Sequence, residues 1–170
     1  MPSKLKELFD KANSNLNSFS HVSEVFQDTV NEAVELSLRG HNCYTKLVDP
    51  DYNLTDSHKD KIVKLFLEEG FNAYFMGSIL ALKWENADKG KAVELLSNFN
   101  KALEEDIDYE IGDIILRQSN LGHKGAYLYL DDDCFSSLIH KYSKSTVIKA
   151  LKKYFKVTEG TFQEIYVEWT

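Results

Sequence analysis

Arg39-Gly40-His41 and the apolar-rich run after it, Cys43 to Asp49, return 82 residues later as Leu121-Gly122-His123 and Gly125 to Asp131. The same offset carries His58-Lys59 onto His140-Lys141. Three extra residues then enter the second passage. At an offset of 85, Ile62-Val63-Lys64 matches Val147-Ile148-Lys149, and Leu80-Ala81-Leu82-Lys83-Trp84 matches Ile165-Tyr166-Val167-Glu168-Trp169. The matches never cross and need a single gap. Colinear self-similarity of this kind marks a repeated structural unit. The sequence therefore predicts a tandem duplication, with copies at residues 1–85 and 86–170 sharing one compact domain.

Each copy reads as α-α-β-α-β-β, an α+β plan with pseudo-twofold symmetry and mixed sheets covered by helices on one face. Leu5, Leu8, Phe9, Ala12 and Leu16 form a helical stripe over residues 3–19. Val25, Thr29, Val30, Ala33 and Val34 form another over 24–39, closed by Gly40. In the second copy, residues 88–103 and the stripe Ile107, Ile111, Ile114 and Ile115 take the same places, with Gly122 as the stop. Residues 42–48 and 125–130 read as strands, each ending in acidic turn residues. The next helix starts at Thr55 or Asp56 in copy one and at Ser145 in copy two. Hairpins close the copies: Phe71–Met76 with Ile79–Trp84, and Val157 with Phe162–Trp169 across a Glu159-Gly160 turn. The β-α-β portion should cross over right-handed, with the last strand returning antiparallel. The two copies then cover each other's open sheet faces or join edges into six strands.

Composition narrows the class. Aromatic residues make up 12% and Pro only 2 residues, unlike a disordered chain. A net charge of −7 makes nucleic acid an unlikely partner, because phosphate neutralisation needs clustered Lys and Arg. No run approaches the apolar length of a membrane span, and the first residues lack the apolar core of a secretory signal. Cys43 and Cys134 fall at unmatched places and read as small buried residues in a reducing compartment. The expected location is cytoplasmic.

Four of the five histidines are paired by the repeat: His41 with His123, and His58 with His140. These are the candidate ligand-binding residues. Imidazoles converging between two copies could hold a small ligand, whereas after a helix stop they serve the helix dipole. None has a metal-ligand spacing, and no metal or other cofactor is expected. The acidic loop residues Asp49, Asp51 and Asp131 to Asp133 read as solvated turns. Charge is uneven in copy two: residues 104–113 hold six acids and no base, and residues 141–156 hold six lysines and no acid. Lys149, Lys152, Lys153 and Lys156 form a candidate partner surface, unless the two charged helices simply face each other. There is no phosphate-cradling Gly loop, no GxSxG and no Cys-His nucleophile spacing. No catalytic residue is assigned, and the reading leans away from an enzyme.

Two resemblances bear on function. A duplicated plan with one His per copy resembles the bilobal two-histidine phosphoesterases, whose motif carries Thr or Ser two residues after each His. Here the triplets are His41-Asn42-Cys43 and His123-Lys124-Gly125, which lack that hydroxyl. The segment Glu68-Glu69-Gly70-Phe71-Asn72-Ala73-Tyr74, closing in Leu80-Ala81-Leu82-Lys83-Trp84, resembles small accessory proteins of tailed bacteriophages. That resemblance implies a viral protein in the host cytoplasm that binds host machinery or defence components. A protein partner is therefore expected, with homodimerisation or a virion assembly role as alternatives.

Overall fold

A 35-residue helix, α1 (Lys4–Leu38), opens the chain. In the computed structural model, residues 3–161 and 163–169 are described, with only the backbone described at 13–20 and 133. The two helices expected before the first strand run as one, because no Gly or Pro interrupts Lys4 to Leu38. The Ser3 hydroxyl caps α1 by accepting the Lys6 N–H at 3.2 Å. Leu5, Leu8 and Phe9 of the first stripe are exposed, and Leu16 lies outside the described side chains. Among the described side chains of α1, Val22, Val25, Thr29, Val30, Ala33 and Ser37 are buried on one helical face. The buried hydroxyls are satisfied locally: Thr29 donates to the Val25 carbonyl at 2.6 Å, and Ser37 to the Val34 carbonyl at 2.7 Å.

Strands β1 (Cys43–Leu47), β2 (Asn72–Met76) and β3 (Ile79–Lys83) form a sheet in the order β1-β3-β2. Both pairings are antiparallel. The returning strand thus lies between the two strands joined by the helix crossover, rather than beside them. A short 3-10 turn (Pro50–Tyr52) leads from β1 to α2 (Asp56–Glu68). Of the two caps offered by the sequence, Thr55 takes the role, accepting the His58 N–H at 3.3 Å. Ile62 and Phe66 of α2 pack with Leu80, Leu82, Phe71 and Trp84. The rings Phe26, Phe66, Phe71 and Trp84 follow one another at centroid distances of 4.7, 5.5 and 6.2 Å. Burying a ring such as Phe66 contributes about 1.5–3 kcal/mol.

The end of α2 is tied to the start of α3 (Gly90–Asn120). Gly70 and Gly90 both take positive φ, +84° and +62°. A Cβ at Gly70 would strike the Lys89 carbonyl, and one at Gly90 would strike the Glu69 backbone. The close approach lets Glu69 cap α3 twice, its carbonyl accepting from Ala92 at 3.0 Å and its carboxylate from Lys91 N–H at 2.8 Å. As with α1, the two helices expected over 88–121 are one.

The chain divides into two compact units, one running through Phe99 and the other from Asn100. The second contains most of α3, β4 (Gly125–Tyr129), α4 (Asp133–Tyr142), α5 (Lys144–Leu151), β5 (Lys156–Glu159) and β6 (Glu164–Glu168). Its sheet has the order β4-β6-β5, again antiparallel throughout. The strands therefore form two separate three-stranded sheets, not one of six. The helix expected from Ser145 is α5, and a further helix, α4, precedes it. Ser143, at φ 75°, ends α4 and caps α5 in place of Ser145. The turn between β5 and β6 extends over 160–163, with Gln163 in the left-handed region; Phe162 lies outside the described residues. Ala126, Leu128, Ile165 and Val167 face the helices, meeting a core that includes Ile107, Ile111, Phe135, Leu138, Val147 and Leu151. Among the described residues no helix is long and apolar enough to cross a membrane.

Candidate functional site

The paired Gly-His motifs are helix terminators. The His41 N–H donates to the Leu36 carbonyl at 3.0 Å and the Gly40 N–H to Ser37 at 3.0 Å. The His123 N–H donates to Gln118 at 3.1 Å and the Gly122 N–H to Ser119 at 2.9 Å. Each set is a Schellman closure, with His as the residue following the left-handed glycine. The His41 carbonyl is held further by the buried Trp84 indole N–H at 3.0 Å. His58 is the third residue of α2, where its Nδ1 accepts the Thr55 N–H at 3.1 Å and completes a capping box. His140 is exposed in the last turn of α4, where a cation favours the helix dipole. Among the described residues, no group of three His, Cys, Asp or Glu could hold a metal.

The lysine run and the acidic segment do meet. Lys153 lies 3.7 Å from Glu104, and Lys141 lies 2.7 Å from Asp106. Lys156 lies 3.6 Å from Glu168 of the neighbouring strand. Lys149 and Lys152 line a shallow hollow of about 700 Å³ on α5 with Ser143, Lys144, Ser145 and Glu159. Most of the cationic surface is thus balanced by carboxylates. Tyr142 also donates to Asp106, and burial together with this carboxylate pushes the Tyr142 phenol well above its usual range. Cys43 is exposed, contrary to the buried residue expected, because it sits on the outward face of the edge strand β1.

The more distinctive surface lies on the sheet of the second unit. Side chains alternate along a strand, so Gly125, Tyr127 and Tyr129 share the face turned from the core. The strand register sets Tyr166 opposite Tyr127 and Glu164 opposite Tyr129. Tyr127 is 57% exposed and Tyr129 47%. The Tyr127 ring lies 4.8 Å from Tyr166 and 6.5 Å from Tyr129, nearly parallel to the latter at 26°. A Cβ at Gly125 would collide with the Tyr166 hydroxyl, so the glycine lets that phenol lie across β4.

Beside this face a groove of about 410 Å³ wraps the edge of β4. Ile114 and Gln118 of α3 form one wall; residues 123–127 and Tyr166 form the rest. Of the four paired histidines, His123 is the one that lines it. The first unit shows what would close such a groove. Tyr44 holds in β1 the second position that Ala126 holds in β4. Tyr44 donates to Glu32 of α1, and Lys46 bonds the same carboxylate at 2.7 Å. Burial and the Glu32 contact push the Tyr44 phenol up to about 12. Burial alone would raise Glu32, but the hydrogen bonds from Lys46 and Tyr44 and the lysine charge outweigh it and lower its pKa. These three side chains occupy the space between α1 and the edge strand. In the second unit Ala126 and Leu128 do not.

No family model, curated protein or solved structure matches this chain.

Proposed function

We propose that this chain is a non-enzymatic protein-binding accessory protein, phage-encoded and acting on a component of the host cytoplasm. It is a duplicated α+β module in which the second copy has become the recognition surface. The observation that carries this reading is the cluster of exposed Tyr127 and Tyr129 with half-buried Tyr166 on the outer face of the β4-β6-β5 sheet. Tyrosine presents a rigid apolar body with a polar tip, which suits a surface that is wet when free and buried when bound. The duplication is supported by the shared strand order and the matching Schellman closures at Gly40-His41 and Gly122-His123. The viral origin rests on the helix-hairpin resemblance of Glu68 to Trp84.

The test is affinity capture from a bacterial lysate with three baits: the unaltered chain, a Tyr127→Ala/Tyr129→Ala variant, and Tyr109→Ala. Tyr109 is 83% exposed on α3 and serves as the control. A protein retained by the first and third baits and lost by the second supports the reading. Identical captures by all three, or no specific capture, contradict it.

A further inference from the structure

We infer that the free edge of β4 accepts an extended segment of the partner protein as a fourth strand, seating an apolar side chain beside Ala126 and an acidic one against Lys124. The inference deepens the protein-binding reading and rests on it.

The backbone geometry comes first. Among the described residues β4 ends its sheet, with β6 on one side and no strand on the other. In an antiparallel ladder, bonded and non-bonded residue pairs alternate. The Trp169 N–H donates to Lys124 at 3.0 Å and the Leu130 N–H to Gln163 at 2.8 Å. Even-numbered residues of β4 therefore bond toward β6. Gly125, Tyr127 and Tyr129 turn their N–H and C=O groups to the open edge. An added strand completes these groups, while pockets for alternate side chains supply specificity.

The groove then selects the segment. Side chains of an added strand that share the face of Ala126 enter the space walled by Ile114 and Gln118. An apolar side chain suits Ile114 and the Ala126 methyl. Two residues along the same face lies Lys124, which makes no ion pair with a described residue, with His123 adjoining it in the groove. A carboxylate is the complementary group. On the other face, the added strand's side chains meet Tyr127 and Tyr129 as cross-strand neighbours. Single-stranded nucleic acid could also stack on tyrosines. Glu164 shares their face and repels phosphate, whereas Glu168 is paired with Lys156, so the face carries no net cation for phosphate, which favours the peptide.

The edge of β1 is built differently. Its equivalent space is filled by Tyr44, Lys46 and Glu32. The distinction between the two edges is thus a matter of three side chains.

The experiment selects a random decapeptide library against the full chain, then measures amide exchange of the chain with a synthetic peptide of the selected consensus. The expected consensus has an apolar and an acidic residue two positions apart. The expected signature is slowed exchange at Gly125, Tyr127 and Tyr129. Ala126→Tyr, which copies the β1 arrangement, and Lys124→Glu, at an exposed side chain, should each weaken binding by about tenfold or more, equivalent to ~1.4 kcal/mol. Selected peptides that leave those three amides unchanged, or an empty selection, overturn the inference. So does concentration-dependent protection of these amides without peptide, which would assign the edge to a second copy. Protection by oligothymidylate would assign it to nucleic acid. If a captured lysate protein tolerates both substitutions, protein binding stands and strand addition falls. If peptides give the amide signature but no lysate protein is captured, the edge assignment stands and the host-partner reading falls.

Discussion

The Tyr166 phenol lies across Gly125, in the place that a side chain at residue 125 would need. The two residues are neighbours on the outer face of one sheet, one supplying a gap and the other filling it. Tyr127 then packs against the Tyr166 ring at 4.8 Å. The aromatic surface is therefore built on a backbone position that holds no side chain.

Gly125→Ala is expected to destabilise the chain by about 1–3 kcal/mol through this overpacking. The added methyl also meets the Val167 carbonyl, so some cost remains when the tyrosine is gone. In a Tyr166→Ala background the penalty should fall, since contacting residues are non-additive. Urea unfolding of the four proteins in the cycle measures the coupling. A penalty unchanged by Tyr166→Ala would show that the phenol does not occupy that place.

The Glu32, Tyr44 and Lys46 cluster makes stability depend on pH at both ends. The Glu32 pKa is lowered from 4.5, so its contribution is present above that value and is lost as pH falls through its folded pKa. The Tyr44 pKa is raised from 10.0 to about 12, so its contribution is present below pH 10 and is lost as pH rises toward 12. Tyr44→Phe should flatten part of the alkaline limb in unfolding measured against pH. Phenolate absorbance should show one fewer late-titrating tyrosine.

Gly90→Ala is expected to cost about 1–3 kcal/mol, because φ is positive and the Cβ meets the Glu69 backbone. At roughly 2–4 °C per kcal/mol for a chain of this size, thermal melting followed by circular dichroism resolves the loss. Gly77→Ala, also at positive φ but with open space around it, should cost less than Gly90→Ala.

Trp84→Ala removes a side chain only 1% exposed and leaves the His41 carbonyl without its indole donor. The expected loss is about 3–5 kcal/mol. Trp84→Phe keeps much of the volume and loses the hydrogen bond, so it should cost less. Equal losses for the two would mean that the bond matters more than the packing.

Local chemistry made much of this fold readable from residues alone. Gly40, Gly70 and Gly122 mark helix ends because the left-handed backbone there favours glycine, and the apolar run Ile79 to Leu82 marks a central strand, buried at Leu80, Ala81 and Leu82. The continuity of α1 was harder to see, since Asn and Ser residues around 13–20 resemble a break although none compels one. Helix α4 was hidden behind Asp131 to Asp133, which read as a turn; the Phe135, Leu138 and Tyr142 spacing that buries its face is the signal that could have found it. Cys43 was placed inside because its outward position depends on the register of β1 against β3. The paired histidines stand out as residues, whereas their positions reflect helix ends, a start at His58 and stops at His41, His123 and His140. The groove was not legible at all. It arises from Ala126 facing Ile114 across a helix-strand gap, a relation that no local spacing encodes.

The most direct measurement is residue-resolved amide hydrogen exchange along β4 in the free protein. An open edge predicts alternation: Ala126, Leu128 and Leu130 protected by β6, and Gly125, Tyr127 and Tyr129 exchanging much faster. Uniform protection along all six residues would mean that this edge is already occupied, and would contradict the assignment of β4 as a binding surface.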